Sequence, residues 1–170
     1  MIYVTGDTHG DLGYFRPEYA YCRDPGWKAG DKVIITGDFG FVMLGEEDHP
    51  LEKEKLDYLA EKPYELLFVD GNHEGFPSLQ QYPEEWRYGA PVRRIRDNIF
   101  WLRRGCVYTI EGKTFFTLGG AATPDFDKPN KLAQGKWFPE EIQRIIISPI
   151  FPAIVRMLRL GRILQSITTL

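Results

Sequence analysis

The chain has 170 residues, 43% of them hydrophobic and 26% charged, with a formal net charge of −3. That is enough chain for one domain with a sizeable core, and the balance is ordinary for a globular protein. The basic excess of a nucleic-acid coat or a membrane-surface protein is missing, so no stable nucleic-acid partner is expected.

Met1 leads straight into Ile2-Tyr3-Val4. No basic region followed by an apolar run precedes it, so no secretory leader is predicted and a cytoplasmic location is the default expectation. Three short apolar runs each stop at a glycine and a polar residue. Ile2-Tyr3-Val4 runs into Gly6-Asp7, Val33-Ile34-Ile35 into Gly37-Asp38, and Leu66-Leu67-Phe68-Val69 into Gly71-Asn72. Short runs rich in β-branched and aromatic residues read as strands, and their lack of alternation reads as burial on both faces of a mainly parallel sheet. Cys22 and Cys106 belong to no CxxC pair and read as reduced, buried thiols.

A helix is predicted over Leu51 to Lys62, with Pro50 suited to its first turn, Pro63 to its stop, and Leu56, Leu59 and Ala60 on one face. Tyr14 to Arg23 is a weaker helical candidate, because Pro17 interrupts it. Strand, helix, strand, helix, strand is the pattern of an α/β protein. Further strands are predicted over Ile99–Leu102, Cys106–Ile110 and Thr114–Leu118, with a hairpin turn at Glu111-Gly112-Lys113. Gly119-Gly120 ends the last strand with residues that let a backbone approach closely. Residues 123–138 read as a loop. Trp86, Trp101 and Trp137 read as core or loop packing, and the Arg93, Arg94, Arg96 and Arg103, Arg104 clusters as solvated charge.

Composition changes after Glu141. From Ile142 to Leu170 there is no Asp or Glu, and Ile, Leu and Arg dominate. Residues 1–141 therefore read as one domain and 142–170 as an atypical tail. Pro149, Pro152, Arg156, Arg159 and Arg162 interrupt it too often for a transmembrane span. From Ile154 onward a basic amphipathic helix is predicted, with Ile154, Met157, Leu158 and Leu164 on one face.

Each of the first three strands ends in residues that can bind metal: Asp7 and His9, then Asp38, then Asn72 and His73. Parallel strands deliver their C-terminal ends to one edge, so these residues are expected to meet although they lie ~30 residues apart. Carboxylate, imidazole and amide oxygen form a mixed N/O set suited to Mn, Fe or Zn. Taken singly, each residue has a plainer reading: a hydrogen-bonded turn, a helix cap or an αL position. Only their joint placement points to metal.

In order, Gly6-Asp7-Thr8-His9-Gly10, Gly37-Asp38 and Gly71-Asn72-His73-Glu74 resemble the motifs of the calcineurin-like metallophosphoesterase superfamily, over roughly residues 1–122. The resemblance implies a layered β-sandwich flanked by helices, two divalent metal ions and hydrolysis of phosphate mono- or diesters. The substrate would be a phosphorylated small molecule, a nucleotide or a phosphoprotein. Asp7 and His9 would bind the first metal, Asp38 would bridge both, and Asn72 would bind the second. His73 would act as the catalytic residue that protonates the leaving oxygen, and Glu74 would orient His73.

The chain departs from the family after His73. The family supplies further histidines from its C-terminal half, and this sequence has only His9, His49 and His73. The C-terminal half of the site is therefore expected to be incomplete and the second metal position weakened, as a shifted reading frame or a truncated gene would leave it. The arginine that Ser/Thr phosphatases carry after their second Gly-Asp is also missing from Phe39-Gly40-Phe41-Val42. The rival expectation is an inactive remnant that acts as a binding module.

Overall fold

A computed structural model of the chain describes residues 1–120 and 164–165. Nine strands, named in chain order, and two α-helices are described. The strands are β1 Ile2–Thr5, β2 Lys32–Thr36, β3 Glu65–Val69, β4 Glu84–Arg87, β5 Ala90–Arg96, β6 Ile99–Leu102, β7 Val107–Ile110, β8 Lys113–Phe116 and β9 Leu164–Gln165. The helices are α1 Pro50–Ala60 and the single turn α2 Phe76–Leu79.

One sheet runs β1-β2-β3-β6-β5-β4 and a smaller one β7-β8-β9. β1, β2, β3 and β6 run parallel to one another, and β5 and β4 continue the sheet antiparallel. The pleat sorts the continuous apolar runs into two cores. Val33, Ile35, Leu66, Phe68, Ile99 and Trp101 join Leu56 and Leu59 of α1 in one cluster. Ile34, Leu67, Val69, Phe100 and Leu102 face the other way and pack with Tyr108, Ile110 and Phe115 of the small sheet. Period-two alternation makes this division inevitable once both faces are covered. The outcome is a layered α/β fold, with helix on one side of the main sheet and a second sheet on the other.

The helix over residues 51–62 forms at Pro50–Ala60. Its end is tied down from outside: Asn98 Nδ2 donates to the carbonyls of Leu59 in the helix and of Lys62 and Tyr64 beyond it, at 3.1–3.2 Å. The β7–β8 hairpin pairs Ile110 with Lys113, so its turn is Glu111-Gly112, with φ of 49° and 72°. Positive φ at both positions is the signature of a type I′ turn.

Several expectations are corrected. Tyr14–Arg23 is not a helix: a 3₁₀ turn at Leu12–Phe15 ends before Pro17, and Arg23 N–H closes the loop on the Tyr14 carbonyl. β4 and β5 were not predicted. Their arginines are not free solvated charge, because register sets Arg93 opposite Glu84, while Arg94 pairs with Glu85 and Asp97 and Arg96 with Glu46 and Asp57. Trp101 is core, whereas Trp86 on edge strand β4 is 75% exposed. Cys22 and Cys106 are free but half-buried. Leu164 and Gln165 are strand, not helix, and pair in parallel with Phe115 and Phe116. An open hairpin edge offers unpaired backbone groups that such an addition satisfies. The loop at 123–138, Trp137 and the rest of the tail lie outside the described residues. Among the described residues, no helix is long and apolar enough to cross a membrane.

Candidate metal centre

Parallel pairing brings the three strand ends level. Thr5 of β1 stands beside Ile35 of β2, and Thr36 of β2 beside Val69 of β3. The loops 6–10, 37–41 and 70–75 therefore leave the sheet together, and backbone hydrogen bonds stitch them. Thr8 and His9 N–H both donate to the Asp38 carbonyl at 3.0 and 2.8 Å, and Gly10 N–H to that of Phe39 at 2.9 Å. Thr8 is fully buried, and its Oγ1 donates to the Phe39 carbonyl at 2.9 Å.

Asp7, His9 and Asp38 each offer a ligand atom, and these atoms lie within 4.8 Å of one another. His9 Nε2 is 3.7 Å from Asp7 Oδ2 and 3.7 Å from Asp38 Oδ2. That is too long for a hydrogen bond. Two ligands bonded at ~2.1 Å to one cation stand roughly 3.0–3.4 Å apart, so the spacing is close to that of atoms sharing an ion. Among the described residues, no Lys or Arg forms an ion pair with either carboxylate, which leaves their charge for a cation. The donor set fits a divalent metal.

His9 and Asp38 sit at φ of 46° and 20°, left-handed conformations that non-glycine residues avoid. Each costs of order 1–3 kcal/mol and persists only where surrounding bonds impose it, as the shared Asp38 carbonyl does here. Asp38 is buried, His9 exposed and Asp7 between the two, so the group opens to solvent on one side.

The third loop closes on Asp38. His73 N–H donates to Asp38 Oδ1 at 2.8 Å, leaving Oδ2 facing His9. A β-carbon on Gly71 would lie 1.9 Å from Asp38 Oδ1 and 2.4 Å from Asp38 N, so only glycine fits there. The His73 ring meets the His9 ring edge-on at 5.5 Å between centroids. Asn72, half-buried, lies between Gly71 and His73, the two residues that touch the Asp38 carboxylate.

Glu74 does not orient His73. It is fully buried, and its carboxylate accepts from Phe39 N–H at 2.6 Å and Gly40 N–H at 3.2 Å. It ties the third loop to the backbone just after Asp38. Burial pushes its carboxyl well above the usual range, the nearby Asp70 and Asp38 charges add to this, and the two N–H donors oppose it. Asp70 lies beneath the same loop. Burial pushes it up as well, against its ion pair with Arg104 and a 2.8 Å bond from Trp101 Nε1. The Asp70 carbonyl accepts from Gly120 N–H at 2.9 Å, and a β-carbon on Gly119 would strike it at 2.6 Å. This is the close approach expected of the Gly119-Gly120 pair.

Two basic residues of the site region escaped sequence reading. Arg23 Nη1 donates to Thr5 Oγ1 and to the carbonyls of Gly6 and Asp7 at 2.8–3.0 Å, pinning the first loop. Lys55 Nζ reaches the Gly10 carbonyl at 2.8 Å. Neither lies in a motif, and no local pattern announces them. His49, just before α1, makes no side-chain cap bond and stays outside the cluster.

No curated protein and no solved structure gives a significant match to this chain. A family model described as calcineurin-like phosphoesterase matches residues 1–152, past the compositional break at 141. With nearly the whole chain matched and Asp7, His9 and Asp38 gathered at the ends of parallel strands, the chain belongs to the calcineurin-like phosphoesterase family.

Proposed function

We propose that this protein hydrolyses phosphate mono- or diesters with the help of divalent cations, Mn, Fe or Zn. The reading is carried by one observation: the side chains of Asp7, His9 and Asp38 converge without hydrogen-bonding one another, beside a second histidine. Asp7 and His9 would hold a first ion and Asp38 would bridge to a second, with Asn72 as a further ligand. When bound, such ions supply Lewis acidity at the phosphoryl oxygens and lower the pKa of water.

The chain's own groups do the rest. His73 keeps its backbone N–H on Asp38 Oδ1, and its ring stands edge-on to that of His9. From there the imidazole donates a proton to the leaving oxygen as general acid. Glu74 and Arg23 hold the Asp38 and Asp7 loops in place. Asp38 and Asn72 alone serve the second ion among the described residues, so that ion binds more weakly than the first.

The test is Mn²⁺-stimulated hydrolysis of para-nitrophenyl phosphate and its bis ester, with metal content measured by elemental analysis. Asp38→Ala should abolish the stimulation, and His73→Ala should lower kcat about 10²–10⁴-fold while sparing bound metal. Full folding with no metal-stimulated turnover of either ester would refute hydrolysis and leave the binding-module reading.

A further inference from the structure

Three tyrosines stand beside the first metal-ligand loop and take no part in the chemistry above. Tyr14 and Tyr21 meet edge-on at 5.4 Å between ring centroids, and Tyr21 and Tyr19 meet at 5.5 Å. Tyr19 and Tyr21 are 42% and 48% exposed. Exposed rings are usually mobile, but Tyr21 is tethered, and Tyr19 packs against it. Tyr21 Oη donates to Asp11 Oδ2 at 3.2 Å, and Asp11 Oδ1 in turn accepts from Gly13 N–H at 2.8 Å. The Tyr21 ring lies so close to Gly13 that a β-carbon there would come within 2.4 Å of the hydroxyl. Arg23 lies over the Tyr14 ring, its Cζ 3.9 Å from the centroid, and the same guanidinium grips the Asp7 carbonyl at 3.0 Å.

The tyrosines and the metal-ligand loop are thus one preassembled piece. Asp11 follows His9 by two residues, and Arg23 ties the ring stack to Asp7 itself. A rigid exposed aromatic surface loses little side-chain entropy on contact, which is how aromatic residues serve as binding anchors. Its π faces suit a flat partner and discriminate little among flat partners.

We infer that the Tyr14-Tyr19-Tyr21 shelf is a leaving-group subsite that selects phosphate esters bearing a planar aromatic group, such as an aryl ester or a nucleotide. The inference rests on the phosphoesterase reading and narrows it to a substrate class. Binding of non-hydrolysable phosphonates to the full chain in Mn²⁺ tests it, independently of turnover. Phenylphosphonate should bind at least about 5-fold more tightly than methylphosphonate, the low end of one aromatic stacking contact. The non-hydrolysable phosphonate analogue of adenosine 5′-monophosphate, run alongside, distinguishes a nucleobase from a simple aryl ring.

In Tyr19→Leu/Tyr21→Leu the preference should vanish while methylphosphonate affinity stays unchanged, and Tyr21→Phe, which keeps the ring but frees it from Asp11, should retain only part of it. The wild-type chain offers a check that needs no variant: with diamagnetic Zn²⁺ in place of Mn²⁺, phenylphosphonate should shift the tyrosine ring-proton resonances and methylphosphonate should not. Methylphosphonate binding with no aromatic preference, or a preference that survives loss of both rings, would overturn the shelf alone. Absence of binding by either phosphonate would overturn the phosphoesterase reading and the shelf with it.

Discussion

Gly71→Ala is the smallest change that should dismantle the metal centre. The new methyl group would lie 1.9 Å from Asp38 Oδ1 and 2.4 Å from Asp38 N, where ordinary contact begins at 3.4 Å. The shortfall of about 1.5 Å against the oxygen could be relieved by rotating the carboxylate, but the backbone nitrogen cannot rotate away. Asp38 N belongs to a loop whose carbonyl already holds Thr8 and His9 N–H, so the strain spreads to both loops. Overpacking of this kind costs about 1–3 kcal/mol. Losing the His73 N–H bond to a carboxylate adds about 1.5–3 kcal/mol. The two share one cause and are not fully additive, so about 2–4 kcal/mol is expected. For a chain of this size that is a fall in Tm of about 4–16 °C. Displacing a ligand by ~1 Å can also cost about 10²-fold in a site that depends on position. Urea titration and elemental analysis of the purified variant read both effects. A variant within about 0.5 kcal/mol of wild type that keeps its full metal content would refute the contact-based reasoning.

Glu74→Ala should destabilise the fold by about 2–4 kcal/mol by leaving Phe39 and Gly40 N–H buried without their acceptor, as measured by denaturant unfolding. Excess Mn²⁺ should raise Tm and chelation reverse it, because an ion bound only by the folded state stabilises it; in Asp38→Ala the shift should disappear. Acid should weaken the start of β3 in the main sheet through Glu65. Burial pushes its carboxyl up, but Tyr88, Lys32 and Arg87 outweigh that and hold it below its ordinary value of 4.5. A depressed carboxyl contributes stability above the unfolded pKa and loses it as pH falls through the folded one. The stability–pH slope below about pH 4.5 should therefore flatten in Glu65→Gln, as urea midpoints at several acid pH values would show.

The motifs were legible because their logic is local. An apolar run stopped by glycine and a ligand needs no partner to be seen, and three such runs in order imply a shared edge. β4 and β5 were illegible for the opposite reason. Glu84-Glu85-Trp86-Arg87 and the arginine-rich Arg93 to Arg96 look like solvated chain until the register sets acid against base. Their hairpin turns at Tyr88-Gly89, both at positive φ, without the Asn-Gly or Asp-Gly that usually marks such a turn.

The amino-acid order alone set which strand ends meet and the residue types they carry: Asp7, His9, Asp38, Asn72 and His73. It also determined that both faces of the sheet are covered, since runs such as Val33-Ile34-Ile35 and Leu66 to Val69 never alternate. Tertiary structure alone decided how those ends are held. Glu74 could have served His73 from its place in the chain, yet it serves the backbone of Phe39 and Gly40. Arg23 carries no motif, yet it grips the Asp7 carbonyl. The physical reason is common to both. A buried carboxylate or a guanidinium goes to whichever unpaired backbone groups the packed loops present, and those groups exist only after the parallel strands have brought the loops together.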